Sequence, residues 1–344
     1  MAATLRDVAR RAGVSIKTVS NVVHEREYVR DTTRAVVRAA IDELGYQPNL
    51  SARSLRSGRT GVIGLAVPEV KLPYFAELAD SVIAAAKARG LTVLIEQTGA
   101  DLDTERELLR SPRLQLTDGL IFSPLAMSQT DVGLLAVDYP LVILGERIFD
   151  TPCDHVAMDN LAAARAATEH LIAAGCRRIA AVGAHAGEDL GSAALRLRGY
   201  RAALEAAGIA YDERLVGYVG LWHRHDGAAA MSELLERDLG IDGVFGMNDT
   251  LALGALRALG EAGHRVPEDV KLIGFDGLDE TRYASPSLST IDPGRVEIAR
   301  TAVRVLHERI DERVSGAKRA PSVRYTTDYE LIERESTRGS GIRL

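Results

Sequence analysis

Three side chains in the second half of the sequence have the chemistry of a polyol-binding ring. Trp222 is the only tryptophan in the chain and lies in the polar run L-W-H-R-H-D-G, which leaves its face available for stacking. Asn248 and Asp276 can donate to and accept from neighbouring hydroxyls. Bond-breaking chemistry lacks a comparable signature: there is no G-x-x-x-x-G-K-S/T phosphate loop, no glycine-rich dinucleotide fingerprint opening a helix, no H-E-x-x-H and no G-x-S-x-G elbow. The eight histidines are scattered, H-R-H at His223 to His225 is their only cluster, and two histidines at that spacing fall short of a metal site. Cys153 and Cys176 have neither ligand nor redox spacing and read as small, apolar packing residues. No cofactor and no metal are expected, and an enzyme is the weaker reading.

A ring of this kind needs a scaffold, and the body of the chain supplies an α/β one. From Thr60 onward, apolar or β-branched runs (G-V-I-G-L-A-V, L-T-V-L-I, D-G-L-I-F-S, L-V-I-L-G, R-R-I-A-A-V-G, D-G-V-F-G-M and V-K-L-I-G-F-D) alternate with helical segments such as 75–89 and 161–174. Strand runs without polar alternation, separated by helices, predict parallel sheets covered on both faces. The repeats are too many for one sheet, so two subdomains are expected, with crossings near 159–161, at 290–293 and around Tyr325. Ligands of open α/β sheets bind beyond the carboxyl ends of the strands. The residues there are Tyr74, Phe75, Ser123, Asp159, Trp222, Asn248 with Asp249, and Asp276. An aspartate at a strand end is as often the cap of the next helix, and Asp249 has equal claims to both roles.

The first sixty residues differ in charge from the rest. They hold 11 Lys or Arg against 6 Asp or Glu, which leaves 31 against 42 for the body, so any polyanion is met by the N-terminus. In T-L-R-D-V-A-R-R-A-G-V-S-I-K-T-V-S-N-V-V, Thr4 can cap a helix that Gly13 ends, and Ser15 can cap a second whose Val19, Val22 and Val23 point inward. Small Ala9 stands where the two must cross, which is the helix-turn-helix arrangement. A third helix, about 33–44, adds Val36, Val37, Ala40, Ile41 and Leu44 to the core and ends at Gly45. The following N-L-S-A-R-S-L-R-S-G (49–58) has a capping Asn49, Ala52 and Leu55 three apart, and Arg53 and Arg56 three apart, a basic amphipathic turn where a flexible linker is ordinary. No secretory segment opens the sequence and no apolar run would span a membrane, so a cytoplasmic protein is expected.

These runs, L-R-D-V-A-R-R-A-G-V-S-I-K-T-V-S-N-V-V and then G-Y-Q-P-N-L-S-A-R-S-L-R-S-G-R-T-G-V-I-G-L, resemble the lactose-repressor (LacI/GalR) family of transcription regulators, and the likeness continues through nearly the whole chain. The resemblance implies an α/β fold class with an N-terminal three-helix helix-turn-helix domain (1–47), a hinge helix (48–59) and a two-subdomain, periplasmic-binding-protein-like core (60–344) of doubly wound parallel sheets. Within that core, one subdomain is expected at about 60–160 and 292–324 and the other at about 161–291 and 325–344. It implies that the second helix enters the major groove with Ile16, Lys17 and Asn21 at base edges. Lys17 suits guanine acceptors, Asn21 adenine and Ile16 a thymine methyl, while Thr4, Ser15, Thr18 and Ser20 suit phosphates. The resemblance adds Arg196, from S-A-A-L-R-L-R-G-Y, to the effector ring, where its planar fork of donors suits paired hydroxyls. It further implies a homodimer on a roughly palindromic double-stranded operator, Leu55 wedged into the minor groove between Arg53 and Arg56, and a small carbohydrate effector. Repression is the expected sign. The tail S-T-R-G-S-G-I-R-L carries no leucine heptads that would build a tetramer. The rival reading is an exported or cytoplasmic sugar-binding protein with no DNA function.

Overall fold

The computed structural model describes residues 3–23, 28–46 and 59–338. The chain divides into two compact units, Met1–Thr60 and Gly61–Leu344. In the first, α1 (Leu5–Ala12), α2 (Ile16–Val23) and α3 (Asp31–Leu44) surround a small core of Val8, Ala9, Val19, Val22, Val29, Val37, Ala40 and Tyr46. Thr4 caps α1 in a reciprocal box: Asp7 N donates to Thr4 Oγ1 at 3.3 Å and Thr4 N to the Asp7 carboxylate at 3.0 Å. Gly13, at φ 66°, turns the chain in the left-handed region before Ser15 Oγ accepts from Thr18 N at 3.0 Å and opens α2. Val36, expected in the core, is instead half exposed; α3 turns its buried stripe to Val37 and Ala40 and leaves the adjacent position outside. The hinge residues Asn49, Arg53, Leu55 and Arg56 lie outside the described residues.

The second unit is built on two parallel sheets. β1 (Val62–Val67), β2 (Thr92–Gln97), β3 (Leu120–Phe122), β4 (Leu141–Leu144) and β5 (Asp154–Met158) join β11 (Arg324–Thr327) in the order β11-β5-β4-β3-β1-β2. β6 (Ile179–Ala184), β7 (Val216–Tyr218), β8 (Gly243–Gly246) and β9 (Lys271–Ile273) form the second in the order β7-β6-β8-β9. β10 (Thr290–Asp292) pairs antiparallel with β12 (Glu330–Ile332). β1, β3, β4 and β5 are buried almost throughout, which accounts for their unbroken apolar runs. Helices α4 (Pro73–Lys87), α5 (Leu102–Leu108) and α10 (Arg295–Ser315) accompany the first sheet; α6 (Asn160–Ala173), α7 (Ser192–Ala206), α8 (Arg224–Glu236) and α9 (Asp249–Glu261) accompany the second.

The chain crosses between the sheets after β5, after β10 and after β11. The last crossing falls at 328–329 rather than around Tyr325, because Tyr325 itself pairs with Val156 inside the first sheet. Residues 325–327 therefore belong with the first sheet and not the second. In S-A-A-L-R-L-R-G-Y the spacing has a packing reason. A Cβ on Gly199 would sit 2.4 Å from Leu161 O, so glycine lets α6 and α7 touch, while buried Tyr200 donates to Ile179 O at 2.8 Å. This locks α7 so that its first turns face the space between the sheets. Among the described residues, no helix is long and apolar enough to cross a membrane.

Candidate functional site

A cavity of about 400 Å³ opens beyond the carboxyl ends of the strands and is walled by both sheets. Seven of the nine ring candidates line it: Tyr74, Phe75, Ser123, Arg196, Trp222, Asn248 and Asp276. Tyr74 and Phe75 come from the first turn of α4 and contact each other edge to face at 5.3 Å. Trp222 spends its indole N–H on Gly183 O at 2.8 Å, which fixes the ring and leaves a face to the cavity. Asn248 caps α9 by accepting from Leu251 N at 2.7 Å, so its amide serves both helix and cavity.

Arg196 occupies the floor, almost fully buried. Its Nε donates to Asn160 Oδ1 at 2.7 Å, and its Nη1 donates to the Met247 carbonyl. Its guanidinium lies 3.6 Å over the Phe275 ring and 5.1 Å from the Trp222 ring. Asp276 Oδ1 is 3.6 Å from Nη1. Burial pushes the Asp276 carboxyl up to about 6, against the pull of Arg196 and Arg295, and pushes the Arg196 guanidinium down. Asp276 also holds φ at 120°, a conformation that non-glycine residues rarely adopt and that stores strain at the end of β9.

Two expectations are corrected. Asp159 is exposed and outside the cavity; its Oδ1 accepts from Ala162 N at 3.0 Å, so it caps α6. Asp249 is neither cap nor ring member. It sits one residue inside α9, fully buried, and accepts from Leu278 N at 2.8 Å and Thr290 Oγ1 at 2.6 Å, with burial and the Asp276 charge raising it to about 7.

Sequence reasoning missed the groups that bridge the cavity from one sheet to the other. Buried Glu146, after β4, accepts from Ser192 Oγ at 3.1 Å on α7 and from Met158 N at 3.2 Å, and burial raises its carboxyl. Arg147 pairs with Glu188 at 3.0 Å, and Asp279 N donates to Glu77 Oε1 at 3.2 Å. His223, for which the sequence offered no role, reaches Glu69 with Nε2 at 2.8 Å. Only the serine of the S-A-A-L-R motif hinted at any of these bonds, because each joins positions distant in sequence. The result is a cleft whose two walls are tied by charged and polar pairs.

In the first unit, α2 leaves Ile16, Lys17, Ser20 and Asn21 on the face opposite buried Val19 and Val22. Ile16 is 44% exposed, unusual for a large apolar side chain. Thr4 and Ser15 spend their hydroxyls on capping, since Thr4 Oγ1 donates to Asp7 at 2.6 Å and Ser15 Oγ shares a 2.9 Å bond with Thr18 Oγ1.

Two family models match, one described as bacterial regulatory proteins, lacI family, over residues 4–49, and one as a periplasmic binding protein-like domain over residues 168–337. The ribose operon repressor of Halalkalibacterium halodurans is 33% identical across 98% of this chain and 97% of its own. A putative LacI-family transcriptional regulator from Sanguibacter keddieii is 52% identical over 82% of this chain and all of its own, with a TM-score of 0.75. The complex of the transcriptional regulator CelR with cellobiose is 33% identical over 97% of this chain and 99% of its own, at a TM-score of 0.69. A helix-turn-helix head, a cleft between parallel sheets and likeness along the whole chain agree: this protein belongs to the LacI family and is a ligand-responsive, DNA-binding transcription regulator, not an enzyme.

Proposed function

We propose that this regulator is a cytoplasmic homodimeric repressor that binds a pseudo-palindromic operator and changes its affinity when an uncharged carbohydrate occupies the cleft. The observation that carries the ligand class is the lining of the cavity. Four carboxylates (Glu69, Glu146, Glu188 and Asp276) face two guanidiniums (Arg147 and Arg196), with Trp222 as the stacking surface. Such walls repel phosphorylated or acidic sugars and offer acceptors to hydroxyls. Tyr74, Phe75, Ser123, Arg196, Trp222, Asn248 and Asp276 are the proposed contacts. The name of the ribose operon repressor and the cellobiose bound to CelR support a sugar.

On the DNA side, Ile16, Lys17 and Asn21 read bases, and Thr4, Ser15, Thr18 and Ser20 meet phosphates, Thr4 and Ser15 by turning their hydroxyls from the caps. The hinge (48–59) places Leu55 in the minor groove with Arg53 and Arg56 on the flanking phosphates. The dimer is supported by apolar exposure around the edge strand β2: Leu94 and Ile95 on the strand, Ile83 on the adjoining α4, and Val70, whose N donates to Gln97 Oε1 at 3.0 Å. Closure of the cleft by ligand then alters the spacing of the two hinges.

The test is a thermal-shift screen of the full chain against neutral sugars, acidic sugars and purine bases, followed by gel shift on its own upstream region. Neutral sugars should raise the melting temperature. Stabilisation by purines alone would overturn the ligand class. Leu55→Ser should weaken operator binding at least tenfold while the sugar response is unchanged, and equal operator affinity would refute the wedge.

A further inference from the structure

The H-R-H-D run gains a third ligand and a supporting partner from the fold. His223, His225 and Asp226 bring ligand atoms within 4.8 Å of one another at the lip of the cleft. His225 Nε2 is 3.3 Å from Asp226 Oδ1, and His223 Nδ1 is 3.5 Å from Asp226 Oδ2. The two imidazoles stack with centroids 5.4 Å apart and planes at 20°. His223 Nδ1 is buried and forms no normal hydrogen bond, only the loose capping-box contact with the Asp226 backbone. A buried, unpaired ring nitrogen is costly, and one beside a carboxylate and a second imidazole is a lone pair in want of a cation. The other nitrogen of the same ring, Nε2, is held at 2.8 Å by Glu69. Metal-ligating histidines characteristically give their second N–H to a carboxylate, which fixes the tautomer and raises the basicity of the ligating nitrogen.

We propose that His223 Nδ1, His225 Nε2 and Asp226 Oδ1 bind a divalent transition-metal cation of the Zn²⁺ class, with Glu69 as the positioning residue on the opposite wall of the cleft. Two imidazoles and one carboxylate suit Zn²⁺, Ni²⁺ or Cu²⁺ and not Mg²⁺ or Ca²⁺, which take oxygen ligands. Asp226 Oδ2 keeps its 3.0 Å bond from His223 N, so that half of the α8 capping box survives while Oδ1 turns to the cation and His223 Nδ1 exchanges its contact with the Asp226 backbone for the metal. Tetrahedral Zn²⁺ places its ligands about 3.4 Å apart, so the rings must draw in by about an ångström. His225, 76% exposed, is free to do so. The Asp226 and Glu69 carboxylates together balance the added charge. Because Glu69 stands after β1 and His223 after β7, the bound cation would strengthen one of the bonds that tie the cleft walls together.

Equilibrium dialysis of the untagged full chain against Zn²⁺, without any effector, is the direct measurement. One Zn²⁺ per chain is expected, with affinity falling at least tenfold in His225→Ala and in Asp226→Asn, and several-fold in Glu69→Ala. Zn²⁺ should raise the melting temperature of the wild type but not of His225→Ala, whose exposed side chain leaves the fold intact. Co²⁺ should give the visible absorption of a low-coordinate site, lost in the same variant. Zn²⁺ binding retained in His225→Ala, lost instead when Cys153 and Cys176 are changed to serine, or matched in affinity by Mg²⁺, would each overturn the site. None of these readouts depends on the effector being a sugar.

Discussion

Two buried arginine–aspartate pairs sit in the body, and they are built to opposite ends. In the first sheet, Arg309 on α10 grips Asp154 of β5 through Nε at 2.7 Å and Nη2 at 2.8 Å. The remaining donors of Arg309 go to Glu312 and to the carbonyls of Ala320 and Pro321, and Asp154 also accepts from Val323 N at 3.0 Å. All donors are satisfied, and the hydrogen bonds that Arg309 donates to Asp154 raise the Arg309 pKa despite burial. In the cleft, Arg196 and Asp276 are equally buried yet stand 3.6 Å apart, and burial pushes each toward its neutral form. The first pair fastens the segment leading into β11. The second keeps its hydrogen-bonding capacity for something that enters the cavity. Burial of a charge pair therefore says little by itself; what distinguishes the two is whether the fork is closed.

The largest effect should come from opening the closed fork. Arg309→Met leaves Asp154 charged, buried and alone, which should cost about 3–5 kcal/mol in urea unfolding, with ligand affinity changed less than twofold. Adding Asp154→Leu should recover most of that loss, since a well-packed apolar pair can replace a buried ionic one. A stability loss under about 1 kcal/mol in the single variant would erase the contrast with the cleft.

Arg196→Met should invert the pattern. The charge-assisted bonds it would make to ligand hydroxyls are worth about 1.5–3 kcal/mol, a tenfold to 150-fold loss in effector affinity by calorimetry. The stability cost should be smaller than for Arg309, because Asp276, already raised to about 6, can take up a proton when its partner is gone. Comparable losses of stability in the two variants would mean that Arg196 is chiefly a packing residue.

A third effect is read against pH. Asp249 and Asp276 titrate at about 7 and about 6 in the folded chain, both chiefly through burial. Their folded values lie above their unfolded ones, so the stability they contribute is fully present below the unfolded carboxylate range and is lost as pH rises through 6 to 7. Unfolding free energy should therefore fall by about 1–2 kcal/mol between pH 6 and pH 7. Asp249→Asn should flatten that fall, because an amide can still accept from Leu278 N and donate to Thr290 Oγ1. An unchanged pH profile in Asp249→Asn would assign the dependence elsewhere.

The sheets were legible because a strand buried on both faces writes itself as an unbroken apolar run, as in L-V-I-L-G for β4. The three-residue β7 was not, since V-G-Y is too short for any period to register. The head was legible through local rules, caps and glycines acting within a few residues, although Val36 shows that helical spacing leaves the edge of the buried stripe undecided. Long-range polar bonds were invisible. Glu105 reads as an ordinary surface residue of α5, yet it is fully buried and accepts from the backbone N–H groups of Leu125, Ala126 and Met127. Glu146 and His223 escaped for the same reason: their partners, Ser192 and Glu69, are brought to them by the fold alone.

Asp159 and Asn248 sharpen the comparison at its smallest scale, because both follow a strand, both cap a helix and only one faces the cavity. Asp159→Ala removes the bond to Ala162 N from an exposed cap, which should cost about 1 kcal/mol in unfolding and leave effector affinity unchanged. Asn248→Ala should cost a similar amount through the lost bond to Leu251 N, and in addition weaken the effector about tenfold, since its amide lines the cavity. Matched unfolding and titration measurements on the two variants separate capping from recognition at positions that the sequence could not tell apart. A fall in effector affinity with Asp159→Ala would mean that the α6 terminus reaches the ligand, and that capping and recognition are joined at both positions.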